Sequence, residues 1–185
     1  MRLLQALPPL VFLLLLLAAS TSKASVLEGA CKSYAASHPD VVSGYDFCVK
    51  FFQTDKGSAA ADKRGLAAIA VKIIRVGAES VAKRIAALQA SEKDVNKLSG
   101  LSTCAELYSE AMDDIGDAAK AIASGAFDDA VSELSAVLDA PVTCEDGFAE
   151  GDKPSPSPLA AEDAEFGKEA AIALSVTADL APINT

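Results

Sequence analysis

Carboxylates are the residues with the widest chemical scope in this chain. Asp113-Asp114 with Asp117, and Asp128-Asp129 with Glu133, gather acids at helical spacing. Such groups could act as general acids and bases or hold a metal ion. Neither set has the rest of the machinery: no Asp-x-Asp-x-Asp-Gly calcium loop is present, and both read as solvated acidic helix faces. His38 is the sole histidine and precedes Pro39, so it reads as a solvated turn residue rather than a base. No Gly-x-Ser-x-Gly elbow, P-loop or dinucleotide fingerprint occurs. No catalytic residue, metal ligand or cofactor site is therefore assigned, and the chain reads as non-enzymatic.

Cys31, Cys48, Cys104 and Cys144 are the remaining reactive side chains. With no Cys-x-x-Cys pair and one histidine, zinc is disfavoured. Pro39 lies 8 residues after Cys31 and 9 before Cys48, and Gly125 lies 21 after Cys104 and 19 before Cys144. Residues equidistant from the turn of an antiparallel helical hairpin lie side by side. Four cysteines allow three pairings, and the turns predict Cys31–Cys48 with Cys104–Cys144. The N-terminus supplies an oxidising context. Arg2, an apolar stretch centred on Leu10 to Leu17 and the small-x-small run Ser22-Lys23-Ala24 read as a secretory leader over residues 1–24. The stretch is too short for the roughly 20 residues a membrane span needs.

The elements that position these residues are helical throughout. Residues 26–56 read as a short hairpin broken at His38-Pro39, with Phe47, Val49, Phe51 and Phe52 as its buried face. Residues 59–90 read as one long helix, with Ser91 and Asp94 as a capping box opening the next. Leu98, Leu101, Ala105, Tyr108, Met112, Ile115, Ala119 and Ile122 then step by threes and fours, a heptad seam of the kind that packs bundles. Gly125 suits the stop. Phe127, Val131, Leu134 and Leu138 continue the seam on a further helix, which Pro141 should kink or loosen. After a Pro- and Ser-rich loop over residues 151–158, Ser157-Pro158 reads as the start of a last helix striped by Phe166, Ala170, Ala173 and Leu180. Residues 182–185 read as a frayed end. The expected layout is a leader over 1–24 and one domain over 25–185, made of a hairpin (25–56) and a bundle (57–181).

Charge excludes some partners. Without the leader, 14 basic residues face 26 acidic ones, a net of −12. That argues against nucleic acid and anionic membranes. The charge is also polarised: residues 57–97 carry a net of +4 and residues 98–185 a net of −15. A strongly acidic surface aimed at a basic protein would speed association. Glu106, Glu110, Asp113, Asp117 and Asp128 are the candidate contacts, with Phe127 as an apolar anchor.

The segments around the cysteines resemble the plant invertase and pectin methylesterase inhibitor family, close to its branch of invertase inhibitors described as pollen allergens. "YDFCVK" (Tyr45 to Lys50) carries the second cysteine, and "LSTCAELYSEAMDDI" (Leu101 to Ile115) resembles the helix of the third. "VTCEDGF" (Val142 to Phe148) resembles the fourth-cysteine segment, and "SPLAAEDAEFGKEAAIALSV" (Ser157 to Val176) the closing helix. The resemblance implies an all-α fold: an up-down four-helix bundle preceded by a helical hairpin, with the first and second and the third and fourth cysteines bonded. It implies a secreted protein of the apoplast or cell wall, or of the vacuole if invertase is the target. The implied function is a non-catalytic block of a carbohydrate-active enzyme, by occupation of its cleft. Invertase inhibitors of the family often carry Pro-Lys-Phe between the third and fourth cysteines. Here the stretch reads Gly125-Ala126-Phe127-Asp128, without proline or lysine. The expected target is accordingly pectin methylesterase, with acid invertase as the alternative and a non-inhibitory secreted or pollen protein as a further one.

Overall fold

The computed structural model describes residues 26–41, 43–149 and 154–181. The leader and the frayed end expected at 1–24 and 182–185 lie outside them. The described chain forms helices α1 (26–37), α2 (Gly44–Gln53), α3 (Lys63–Ser91), α4 (Val95–Ser124), α5 (Phe127–Ala149) and α6 (Ala160–Ala178). A single 3-10 turn, Ser58–Ala60, joins the hairpin α1–α2 to the rest. No strand occurs among the described residues.

Helices α3 to α6 close a square, with α4 packed on α3 and α5, and α6 on α5 and α3. Alanine lets these helices approach closely. Ala67, Ala70 and Ala78 of α3, Ala111 and Ala118 of α4 and Ala170 and Ala173 of α6 are all buried. The larger groups fill what remains: Leu66, Ile74 and Ile85 on α3, Leu134 on α5 and Phe166 on α6. Gly100 shows how tight the fit is, because a Cβ there would stand 2.8 Å from the Phe148 ring.

The disulfides join Cys31 to Cys48 (Cα–Cα 5.5 Å) and Cys104 to Cys144 (4.7 Å). One ties α1 to α2 and the other ties α4 to α5. All four cysteines are fully buried.

Several local expectations change. α3 opens at Lys63 rather than 59, because the Asp62 side chain accepts from Gly65 N and caps it. Ser91 does not open a capping box. It is the last residue of α3 and donates back to the Ala87 and Leu88 carbonyls, while Asp94 is itself the N-cap of α4, accepting from Asn96 N and Lys97 N. A carboxylate next to two free N–H groups takes that role directly. The α4 seam is Leu101, Cys104, Tyr108, Ala111, Ile115, Ala118 and Ile122. Leu98, Ala105 and Met112 are only half-buried, and Ala119 is exposed. On α5 the inward residues are Ala130, Leu134, Val137, Pro141, Cys144 and Phe148, with Val131 and Leu138 at the flank. Pro141 sits inside a helix that runs on to Ala149. On α2, Phe51 and Phe52 are buried, whereas Phe47 and Val49 lie half-buried at its edge. Ser157 caps a turn two residues ahead of α6, its Oγ accepting from Leu159 N, and Leu180 falls beyond the helix.

Candidate functional site

Glu106, Glu110, Asp113 and Asp117 follow one another at steps of four, three and four, so they form one row along α4. All four are exposed. Among the described residues, Asp117 alone of the row has an ion-pair partner, Lys120 at 2.6 Å. Such an exposed pair contributes little to stability. Asp114, at the edge of the row, is half-buried. Its carboxyl is raised above the usual range by burial first, then by Glu110, Asp117 and Asp113. The row is therefore close enough to act as a shared negative field.

The turn after α4 ends the row. Gly125 adopts φ 85°, the left-handed cap that lets the Gly125 and Ala126 N–H groups reach the last carbonyls of α4. Asp128 and Asp129 follow in the first turn of α5, where the helix dipole favours acids. Phe127 is half-buried, and the Arg64 guanidinium lies 5.9 Å from its ring centre. The same guanidinium donates to the Ala123 carbonyl. Phe127 is thus held against the bundle by a cation and does not project as a free anchor. The structure places the five acids on the surface, four along α4 and Asp128 at the start of α5.

A second acidic group lies inside, and it was missed in the sequence. Asp163 on α6 is buried, and its Oδ1 accepts from the Tyr108 hydroxyl at 2.5 Å. Its Oδ2 lies 3.2 Å from Cys144 Sγ. A disulfide sulfur has no proton to give, so this contact is favourable only when Oδ2 carries one. Burial, with a side-chain hydrogen bond to Glu145 and the charges of Glu145 and Glu162, pushes Asp163 up to about 7, against the opposing Tyr108 hydrogen bond. Burial and the hydrogen bond to Asp163 hold the Tyr108 phenol protonated well above its ordinary range. Side-chain ligand atoms of Cys144, Glu145 and Asp163 lie within 4.8 Å of one another. The sulfur is tied in the disulfide, however, which leaves two carboxyls rather than a three-ligand metal site. The signal was present: Asp163 lies three residues before Phe166, so an acid occupies the apolar stripe of α6. His38 also departs from expectation. It is half-buried, stacked on Tyr34 with ring centres 4.5 Å apart, and is not simply solvated.

An all-helical square with one stapled helix pair inside it and a stapled hairpin outside is a scaffold built for its surfaces. The profile of the plant invertase/pectin methylesterase inhibitor family matches residues 25–176. The chain is 34% identical over 166 residues to "Putative invertase inhibitor" of Platanus acerifolia, covering 90% of this chain and 91% of that one. It is 32% identical over 101 residues to "Pectinesterase inhibitor" of Actinidia deliciosa, covering 55% of each. The crystal structure of a mutant form of a pectin methylesterase inhibitor from Arabidopsis shares the fold. Its TM-score is 0.66 at 22% identity, covering 82% of this chain and 99% of that one. The chain belongs to the plant invertase/pectin methylesterase inhibitor family. That family consists of protein inhibitors of enzymes rather than catalysts. No described helix is long and apolar enough to cross a membrane.

Proposed function

We propose that this chain is a secreted cell-wall inhibitor of pectin methylesterase, binding reversibly and one-to-one over the enzyme's active-site cleft. The observation that carries this reading is the outward acidic row on α4, which would suit a basic esterase. The turn supports it by what it does not offer. Phe127 is engaged by Arg64, and the Pro-Lys-Phe element expected of an invertase inhibitor is not in the sequence.

Acid invertase is the second reading. It is favoured by the name of the Platanus acerifolia relative and by a 31% identical Arabidopsis thaliana protein named "Cell wall / vacuolar inhibitor of fructosidase 2". Titration of the oxidised protein against a plant pectin methylesterase and an acid invertase, from about pH 4.5 to about pH 7, separates the two. Stoichiometric loss of esterase activity alone is the expected result. Loss of invertase activity alone reverses the assignment. No inhibition of either enzyme leaves a non-inhibitory secreted protein.

A further inference from the structure

The bridge between α4 and α5 has a carboxyl at its side. Asp163 Oδ2 lies 3.2 Å from Cys144 Sγ, while Oδ1 accepts from the Tyr108 hydroxyl. Cys104, Cys144, Tyr108 and Asp163 are all buried. Cys144 and Asp163 sit on α5 and α6, which pack directly on each other, so their contact does not depend on the link to α4. A sulfur–oxygen contact of this kind needs one hydrogen between the two atoms. A sulfur tied in a disulfide has none, so the carboxyl must supply it. A free thiol has one to give, and an S–H donated to a carboxylate favours the charged form. The donor therefore changes sides when the bridge is reduced.

We propose that the bond state of Cys144 sets the protonation of Asp163: the carboxyl keeps its proton while the disulfide is intact and releases it when Cys144 becomes a thiol, which makes the bridge a proton-linked redox switch. In exchange with an external dithiol, the dithiol closes to its own disulfide. Its two electrons and two thiol protons pass to the bridge, and Cys104 and Cys144 become thiols. Asp163 then loses its own proton to water and accepts from the Cys144 thiol. In the oxidised protein burial first, and then Glu145 by hydrogen bond and charge, place the titration of Asp163 at about 7, against the Tyr108 hydrogen bond. By linkage, acid favours the bonded form, and reduction becomes easier as pH rises toward about 7. The other titratable and charged groups around Asp163 are Tyr108 on α4, Asp139 and Glu145 on α5, Glu162 and Lys168 on α6, and Tyr34 and His38 of the hairpin. Arg84 on α3 pairs with Glu162 at 3.4 Å. These groups are present in both bond states, whereas the thiol is present in one.

The test follows the Asp163 carboxyl carbon by NMR from about pH 3 to about pH 9 on the free protein, with Cys31–Cys48 intact. No target enzyme is involved, so the result is independent of the inhibitory assignment. In the native protein the midpoint is expected at about 7. Cys104→Ala leaves Cys144 as a thiol beside the carboxyl and should lower its proton affinity about tenfold. Cys104→Ala with Cys144→Ser places a stronger donor there and should lower it at least as far. Cys104→Ala with Cys144→Ala lacks both bridge and donor and should stay within about threefold of the native value. Sucrose in every sample offsets the lost bridge. An amide NMR spectrum checks each fold, and either donor variant that folds decides the point. A native midpoint near the ordinary 3.8, a donor variant that titrates like the native protein, or one that titrates like the double alanine variant overturns the proposal.

Discussion

Two acidic regions of this molecule behave in opposite ways. Along α4, Glu106, Glu110, Asp113 and Asp117 stand in solvent, adding a directional field while contributing little to folding. Inside, Asp163 rests between Tyr108 and the Cys104–Cys144 bridge, and burial favours its neutral form. Residue type is the same in both places, and water decides the difference. The large negative count of residues 98–185 thus mixes charge aimed outward with a carboxyl that is part of the core.

The largest effect should come from the bridge against which Asp163 lies. Replacing Cys104 and Cys144 together by alanine should remove about 4 kcal/mol on the loop-entropy estimate, against about 3 kcal/mol for Cys31 with Cys48. Denaturant melts of the two double variants check the order. Equal losses would show that native contacts, rather than loop length, set the contribution.

A smaller effect is expected from pH. Below about pH 3.8 Asp163 is protonated in the folded and unfolded chain alike. Between there and about 7 only the folded chain keeps the proton, so stability falls with rising pH and levels off above about 7. Glu169, raised to about 7 by burial and then by Glu165, acts in the same sense. Melting Asp163→Asn beside the parent protein from about pH 4 to about pH 8 should give a flatter profile for the variant. Parallel profiles would mean that Asp163 titrates as an ordinary acid.

The smallest stability effect, within about 0.5 kcal/mol, is expected for Asp113→Lys with Asp117→Lys. These changes should instead slow association with the target enzyme and flatten its salt dependence in stopped-flow measurements. An unchanged on-rate would return the α4 row to plain solvation. A large loss of stability would erase the contrast between the two regions.

Half of the α4 seam was legible because its residues are large: Leu101, Tyr108, Ile115 and Ile122 mark one edge whichever way the other is read. The other edge is Cys104, Ala111 and Ala118, where small side chains let neighbouring helices approach. Alanine is common on both faces of this helix, so periodicity alone favoured the adjacent Ala105, Met112 and Ala119. The same ambiguity displaced the seam of α5, where Ala130 and Val137 turn inward and Val131 and Leu138 stay at the flank. Turn glycine and cysteine spacing were legible because each answers to a local geometric need. Asp163 was not, because the tertiary partners that make an acid tolerable there, Tyr108 and Cys144, are 55 and 19 residues away in sequence.

Complete burial of Cys104 and Cys144 sets the kinetics of their reduction. Thiol exchange needs in-line access to sulfur, and neither residue has any exposed surface. An external reductant must therefore wait for α4 and α5 to part. With reductant in excess, the rate of bridge loss becomes a clock for that opening, and it stops depending on which thiol is supplied.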